Sequence, residues 1–375
     1  MKVLLATTLN WFSTARLATA LGNVGFIVEA VCPSHHSVSK TRLAPRTYPY
    51  NGLAGSSSFQ EAIDTAQPDL VIPCDVTATA HLHELYAEAS AARQNTRATR
   101  ELVMRSLGDP ASYPIINSRS KFIALAREEG IAAPETVQVN SVGELREWLE
   151  CHEVPAVLKT DGSYGGAGVR IVNSSEEADR GFGALKVPPL GARAASRAIF
   201  DRDLTMVVPA VLRKAPTINV QEFITGRDAF IAIACWEGTV DASISAEALQ
   251  VWENRGPSSV VRLIDNREML EAAEKLASRL GLSGLHGLDF IIEKRTGEAH
   301  LIEINPRATP ICHLALGAGR NLPSALFASL SGQPPRNGAS ATDCDIIALF
   351  PQEWQRDPAS VYLRCGYHDV PMGRT

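Results

Sequence analysis

The stretch HGLDFIIEKRTGEAHLIEINPR, residues 286–307, constrains this chain more than any other. Apolar and polar residues alternate along both of its halves, and Arg295-Thr296-Gly297 between them carries a turn signal, so the spacing predicts two antiparallel strands. On that reading Leu288, Phe290 and Ile292 face one side, with Ile302 and Ile304 joining them from the second strand. Asp289, Glu303, Asn305 and Arg307 face the other. A pivot near Thr296 sets Asp289 directly across from Glu303, where Cβ atoms lie roughly 4.5–5.5 Å apart. Two bare carboxylates so placed repel. A divalent cation between them would remove the repulsion, and oxygen donors from Asp, Glu and Asn suit magnesium. A half-exposed hairpin with outward polar residues is the simpler alternative.

At 375 residues the chain has room for two or three domains. The net charge of −5 offers no footprint for nucleic acid or a membrane surface. No apolar run approaches a membrane span, and a strand begins at once at the N-terminus with no leader pattern. The seven cysteines are scattered and odd in number, which points to reduced thiols in a cytoplasmic protein, not to a disulfide frame or zinc site.

Residues 2–7, 25–31 and 69–73 read as buried strands, with helical patterns at 11–21 and 59–66 between them. This β-α-β-α-β order predicts a small parallel sheet with helical crossovers. The first strand runs into Thr7-Thr8-Leu9-Asn10 with no G-x-G-x-x-G, which argues against a dinucleotide site. Asp75, after the third strand, could meet a ligand at the sheet's carboxyl edge or cap the next helix. Residues 78–106 are helical in pattern, and a domain boundary is expected near 115, followed by a helix over 118–129, a strand at 136–139 and a helix over 142–151 opened by the capping box Ser141/Glu144.

Next comes PAVLKTDGSYGGAGVRIV, with strands at 156–159 and 169–172. Between them Gly162, Ser163, Gly165, Gly166 and Gly168 form a connection whose backbone N–H groups can approach an anion, with Lys159 supplying a point charge at the strand end. A flexible hairpin tip is the other reading. Residues 179–215 are locally basic, through Arg193, Arg197, Arg202, Arg213 and Lys214, and read either as a loop near anionic substrate or as a solvated insertion. Further strands are expected at 217–224, 230–236 and 242–251, with Gly226 as a break, then a helix ending at Gly281, and after the hairpin a helix over 322–330, a strand at 346–350 and a weakly patterned tail.

A Lys before a glycine-rich hairpin, then a Gln-Glu-Phe-Ile strand, then Asp…Glu-x-Asn-x-Arg form an ordered set that resembles the ATP-grasp superfamily over roughly residues 1–335. The nearest patterns are those of D-alanine–D-alanine ligase, biotin carboxylase and the synthetase domains of carbamoyl-phosphate synthetase. The resemblance implies an open parallel α/β pre-ATP-grasp domain (1–115), then a two-lobed α+β ATP-grasp domain (116–335, with a small lobe over 116–215 and a metal-binding lobe over 216–335), then a C-terminal tail (336–375). It implies that Lys121 and Lys159 contact phosphates and that Ser163, Gly165, Gly166 and Gly168 belong to a loop closing over them. The backbone of Glu222 and Ile224, in the tetrad Gln221-Glu222-Phe223-Ile224, would bond the adenine edge, a polar side chain of the tetrad would add a further bond, and Asp228 would take the ribose position. Asp289, Glu303 and Asn305 would bind magnesium, with manganese as an alternative ion, and Arg307 would approach the reacting carboxyl.

The implied activity is an ATP-dependent carboxylate–amine ligase that passes through an acyl phosphate and releases ADP and phosphate, with small-molecule partners and a homodimer through the N-terminal domain as a further expectation. Carboxylation or phosphorylation without amide formation, and an ATP-binding module without turnover, are the alternatives. D-alanine ligases have Asn-Thr-x-Pro-Gly where this chain has Asn305-Pro306-Arg307-Ala308-Thr309, and an Arg where it has Gly287, which argues against that branch. The Asn-Pro-Arg form is more like the carbamoyl-phosphate-synthetase-like branch. His313 and Arg320, just beyond, are either near an acceptor substrate or structural.

Overall fold

The computed structural model describes residues 1–44, 46–91, 97–162, 168–186, 216–252, 256–336 and 338–370. The chain opens with β1 (Lys2–Ala6), α1 (Phe12–Val24), β2 (Ile27–Cys32), β3 (Arg46–Pro49), α2 (Gly55–Ala66), β4 (Leu70–Pro73), α3 (Val76–Ala91) and α4 (Arg97–Leu107). Four strands form a parallel sheet in the order β3-β2-β1-β4. Strand β3 has no counterpart among the sequence expectations. It is a short, largely exposed edge strand ending in Pro49, so it has no buried face to leave an apolar pattern. Gly25, expected to begin a strand, instead closes α1 in a left-handed conformation (φ 110°).

Two short helices, α5 (Tyr113–Ile116) and α6 (Arg119–Glu128), lead into a second sheet. Strands β5 (Thr136–Val139), β6 (Ala156–Thr160), β7 (Val169–Val172) and β8 (Ile218–Glu222) pair antiparallel in the order β5-β8-β6-β7, with α7 (Val142–Cys151) and α8 (Ser175–Lys186) packed on one face. The expected capping box opens α7: the Glu144 N–H donates to Ser141 Oγ at 3.1 Å, and the Asn140 N–H donates to the Glu144 carboxylate at 2.9 Å. The same arrangement recurs at Ser174 and Glu177 before α8.

The third sheet has seven strands, in the order β13-β12-β9-β10-β11-β14-β15. These are β9 (Gly226–Trp236), β10 (Thr239–Val251), β11 (Ser258–Leu263), β12 (Gly284–Glu293), β13 (Ala299–Asn305), β14 (Ile346–Leu349) and β15 (Tyr367–Asp369). Helix α9 (Arg267–Leu280) lies between β11 and β12 in the chain, α10 (Leu322–Ser331) after β13, and α11 (Gln352–Arg356) and α12 (Tyr362–Cys365) between β14 and β15. Gly226 is not a break but the first residue of β9. A Cβ there would lie 2.2 Å from the Ile292 carbonyl oxygen, so the strand pairing admits only glycine. The C-terminal segment supplies the expected strand, β14, and its weakly patterned tail adds β15.

Alternation along β9 explains how the large sheet is held. Ala232 and Ala234 face a core shared with β1, α1 and α10, while Ile231 and Ile233 face a core formed with α6 and α9. Covering both faces removes large aliphatic and aromatic side chains from water, each contributing about 1.5–3 kcal/mol. Among the described residues no helix is long and apolar enough to cross a membrane.

Candidate active site

A cleft of about 500 Å³ lies between the four-stranded and seven-stranded sheets, within the range of roughly 300–1,000 Å³ that holds small-molecule ligands. Its floor is the β12–β13 hairpin. Asp289 pairs across from Glu303, in the register the alternation predicts. A β-bulge between Asp289 and Phe290 then shifts the pairing so that Phe290 opposes Leu301. The bulge corrects one expectation: Ile302 does not join Ile304 in the core but lines the cleft beside Glu303.

The two carboxylates are not bare. Arg119, the first residue of α6, sets Nη1 2.6 Å from Glu303 Oε2, donates from Nε to the Thr160 carbonyl at 3.2 Å, and receives support from Asp161. Asn305 Nδ2 donates to Asp289 Oδ2 at 2.9 Å, and Arg307 Nη2 donates to Asn305 Oδ1 at 3.0 Å. Lys159, buried at the end of β6, lies in the same electrostatic field. Its pKa is lowered to about 8, by burial first and by Arg119 second, against opposing pulls from Glu303, Asp289 and Asp228. Asp289 is driven up, by burial first and by Glu303 second. Burial also pushes Glu303 upward, but Arg119, Lys159 and Arg307 together hold it below the usual carboxylate range. The pair therefore divides: Glu303 stays ionised against Arg119, and Asp289 carries the uncompensated repulsion. Asp289, Glu303 and the Asn305 amide oxygen form an oxygen donor set that fits magnesium, with Asp289 the carboxylate in most need of a cation.

Lys121, expected to touch phosphate, is exposed and lies outside the cleft. Arg119 stands in the cleft instead. On α6 the buried face runs through Phe122, Ile123 and Ala126, and helical spacing brings position 119 onto it while turning 121 away. That spacing was legible beforehand, since 119, 122, 123 and 126 form the i, i+3, i+4, i+7 set. Gly168 is buried at the base of the glycine-rich connection, where its carbonyl accepts from the Thr160 N–H at 3.0 Å. Ser163, Gly165 and Gly166, and the basic positions 193, 197, 202, 213 and 214, lie outside the described residues.

The tetrad Gln221, Glu222, Phe223 and Ile224 lines one end of the cleft, with Val157, Val169 and Ile171 from the small sheet nearby. Its polar side chains are tied to the β5 edge and not held out for a base. Gln221 Nε2 donates to Thr136 Oγ1 at 2.8 Å, and the Glu135 N–H donates to Glu222 Oε2 at 2.7 Å. The Glu222 N–H is also engaged, with the Glu135 carbonyl at 3.1 Å. Asp228, exposed on β9, lines the cleft.

Trp11, which sequence reasoning passed over, also lines the cleft, with the Arg307 guanidinium 5.4 Å from its ring centroid. Asp75 takes the capping role: it accepts from the Ala78 N–H at 2.9 Å and from Thr7 and Thr8. His313 Nε2 meets Asp369 Oδ2 at 2.6 Å, and neither it nor Arg320 lines the cleft.

These features are those of an ATP-grasp fold, to which part of the chain is similar in sequence. A family model described as an ATP-grasp domain matches residues 194–310. Among curated proteins, the large chain of carbamoyl phosphate synthase from Thermotoga petrophila is 22% identical over 275 residues, covering 69% of this chain. This chain spans about a quarter of that relative, 23% of its length. Among solved structures, the biotin carboxylase domain of Hydrogenobacter thermophilus 2-oxoglutarate carboxylase, in complex with magnesium ADP and bicarbonate, shares the fold with a TM-score of 0.63 at 14% identity, over 90% of this chain and 71% of that one. N5-carboxyaminoimidazole synthetase from Staphylococcus aureus, complexed with ADP, gives 0.58 at 12% identity over 90% and 78%. The corresponding synthase from Aspergillus clavatus, with ADP and 5-aminoimidazole ribonucleotide, gives 0.62 at 16% identity over 89% and 77%.

Proposed function

We propose that this chain is an ADP-forming ATP-grasp ligase that joins a small carboxylic acid to an amine. The observation that carries the reading is the grouping of Arg119, Lys159 and Arg307 around Asp289 and Glu303 in one cleft, a cationic frame for a polyphosphate over an oxygen donor set for a metal. Magnesium held by Asp289, Glu303 and Asn305 would neutralise charge on the nucleotide phosphates. Arg119 and Lys159 bind and orient the phosphates, while the backbone at Glu222 and Ile224 and the apolar walls Val157, Val169, Ile171 and Ile302 hold the base. Asp228 accepts from the ribose. The substrate carboxylate attacks the γ-phosphorus and ADP leaves with the bridging oxygen. The amine then attacks the acyl carbon, phosphate departs, and the amine loses a proton, giving an amide. Arg307 orients the carboxylate and stabilises the oxyanion of the second step. The glycine-rich connection excludes water from the acyl phosphate.

The same proposal divides the chain into a pre-ATP-grasp domain over 1–115, an ATP-grasp domain over 116–335 and a C-terminal segment over 336–375. Because β8 pairs with β5 and β6, the change from small to metal-binding lobe belongs after Glu222. A cytoplasmic homodimer completes it.

A panel of acids and amines incubated with ATP and magnesium, followed by ADP release and by mass spectrometry of products, tests the reading. Acid-dependent ADP release with an amide product supports it, and Glu303→Gln should then abolish turnover in a folded protein. Phosphate release without an amide would favour a carboxylating enzyme, a reading kept open by the 2-oxoglutarate carboxylase relative. Nucleotide binding with no turnover under any acid would leave an ATP-binding module.

A further inference from the structure

One end of the cleft differs in chemistry from the rest. There Arg307 is 92% withdrawn from water (8% exposed), donates to the Ala308 carbonyl at 3.1 Å and to Asn305, and keeps a buried Nε–H with no partner among the described residues. Such a donor is costly to leave unmet, and an anion arriving beside it meets the need. The Trp11 ring centroid lies 5.4 Å from its guanidinium, and Thr309, Pro310, Ile311 and Leu349 line the same cleft. The Thr309 hydroxyl shares a hydrogen bond with Cys312 Sγ at 3.4 Å, and among these described side chains Arg307 alone is charged. Trp11 is half-buried, reaches in from the segment after β1, and presents the largest apolar surface of the group.

We propose that this end receives the carboxylate substrate and that the acid it takes carries an aromatic or large aliphatic group, with Trp11 the residue that selects it. The inference rests on the ligase reading for its chemistry, but its binding argument is independent. A carboxylate meets Arg307, and the body of the acid lies along Trp11, Pro310 and Leu349. A second carboxylate or a polar side chain would lose its water here and gain no partner, which disfavours dicarboxylic and polar acids. An acid with an apolar body gains contact at each added carbon.

The test uses the full chain with ATP, magnesium and matched acids: phenylpropanoate-like, branched aliphatic, hydroxylated and dicarboxylic. Acyl phosphate is trapped with hydroxylamine, and binding of each acid in the presence of magnesium ADP is measured by calorimetry. Aromatic and large aliphatic acids should bind and turn over best. Trp11→Ala should raise their KM at least about tenfold, with KM for ATP moved less than about threefold, and Trp11→Phe should recover most of the loss. A preference for dicarboxylic or hydroxylated acids, or a preference that Trp11→Ala leaves untouched, overturns the inference while the ligase reading survives. Apolar acids that bind through Trp11 without any turnover would overturn the ligase reading and uphold this one. If no acid binds and none turns over, both fall.

Discussion

Arg119 Nη1 lies 2.6 Å from Glu303 Oε2, so the first residue of one helix neutralises the carboxylate at the heart of the β12–β13 hairpin. The contact joins two tasks. It lets two facing acids exist in one half-buried wall, and it aims a guanidinium into the cleft. Removing one partner of a buried pair strands the other, at a cost of about 3–5 kcal/mol.

Arg119→Ala should therefore lower both stability and activity. We expect kcat/KM to fall by about two orders of magnitude or more, with a depressed melting temperature. Lys121→Ala, two residues on and exposed, should change neither beyond about threefold, since its side chain lies outside the cleft. Steady-state kinetics on the two variants decides which residue serves the phosphates; a large loss in Lys121→Ala with a mild one in Arg119→Ala would reverse the assignment.

The contrast between the two positions shows what was legible and what was not. Strong periodicity carried the hairpin register and the helix closed by Gly281, and residue type at the right spacing carried the Ser141/Glu144 capping box. Lys121 was chosen by residue type and motif, although the periodicity of its own helix turns it outward. Strands β3 and β15 left little pattern because they are short and lie at sheet edges, and β11 because its consecutive buried residues Ser259, Val260 and Val261 do not alternate. The bulge that brings Ile302 into the cleft depends on a single shifted pairing, which alternation cannot foretell. Trp11 was invisible for a different reason: its ring meets Arg307, nearly three hundred positions away in the chain.

Gly287 marks a second tight contact. A Cβ there would lie 2.4 Å from Thr309 Cγ2, a short and rigid side chain that cannot swing far. Gly287→Ala should destabilise by about 1–3 kcal/mol through overpacking. Adding Thr309→Ser, which removes the obstructing methyl, should recover most of it. Thermal melts of the single and double variants give the coupling; additive losses would show that Thr309 is not the obstacle.

Acid should destabilise the fold through buried histidines. His36 and His286 are each 1% exposed, and burial lowers both to about 4, against weaker opposing pulls from nearby backbone oxygens and, for His36, Asp75. His36 Nδ1 accepts the Val38 N–H at 3.0 Å, which requires that nitrogen to be unprotonated. The unfolded chain takes up protons near pH 6.5 while the folded one resists until about pH 4. The stability these residues contribute is thus intact above pH 6.5 and falls as pH drops toward 4, by about 1.4 kcal/mol per pH unit for each group. His36→Asn, whose amide oxygen can still accept from Val38, should flatten the decline in melting temperature over this window. An unchanged slope would remove His36 as a cause.

Asp369 ties the last strand to the rest of the molecule. It is 2% exposed, accepts from His313 at 2.6 Å, and is paired with Arg16 on α1. Burial pushes this carboxyl up, yet His313 and Arg16 hold it below the usual range. Asp369→Ala would leave the Arg16 guanidinium without its counter-ion and His313 without its hydrogen-bond partner, at a cost of about 3–5 kcal/mol. Because β15 pairs with β14, and Leu349 of β14 lines the cleft, the loss should spread inward along the sheet edge. Hydrogen exchange should report it as faster exchange at 346–349 and 367–369 in the variant, with the β12–β13 hairpin on the opposite edge of the sheet unchanged. Arg16→Met combined with Asp369→Ala should restore part of the stability by removing one stranded charge, and no recovery in the double variant would show that the carboxylate acts through contacts other than Arg16.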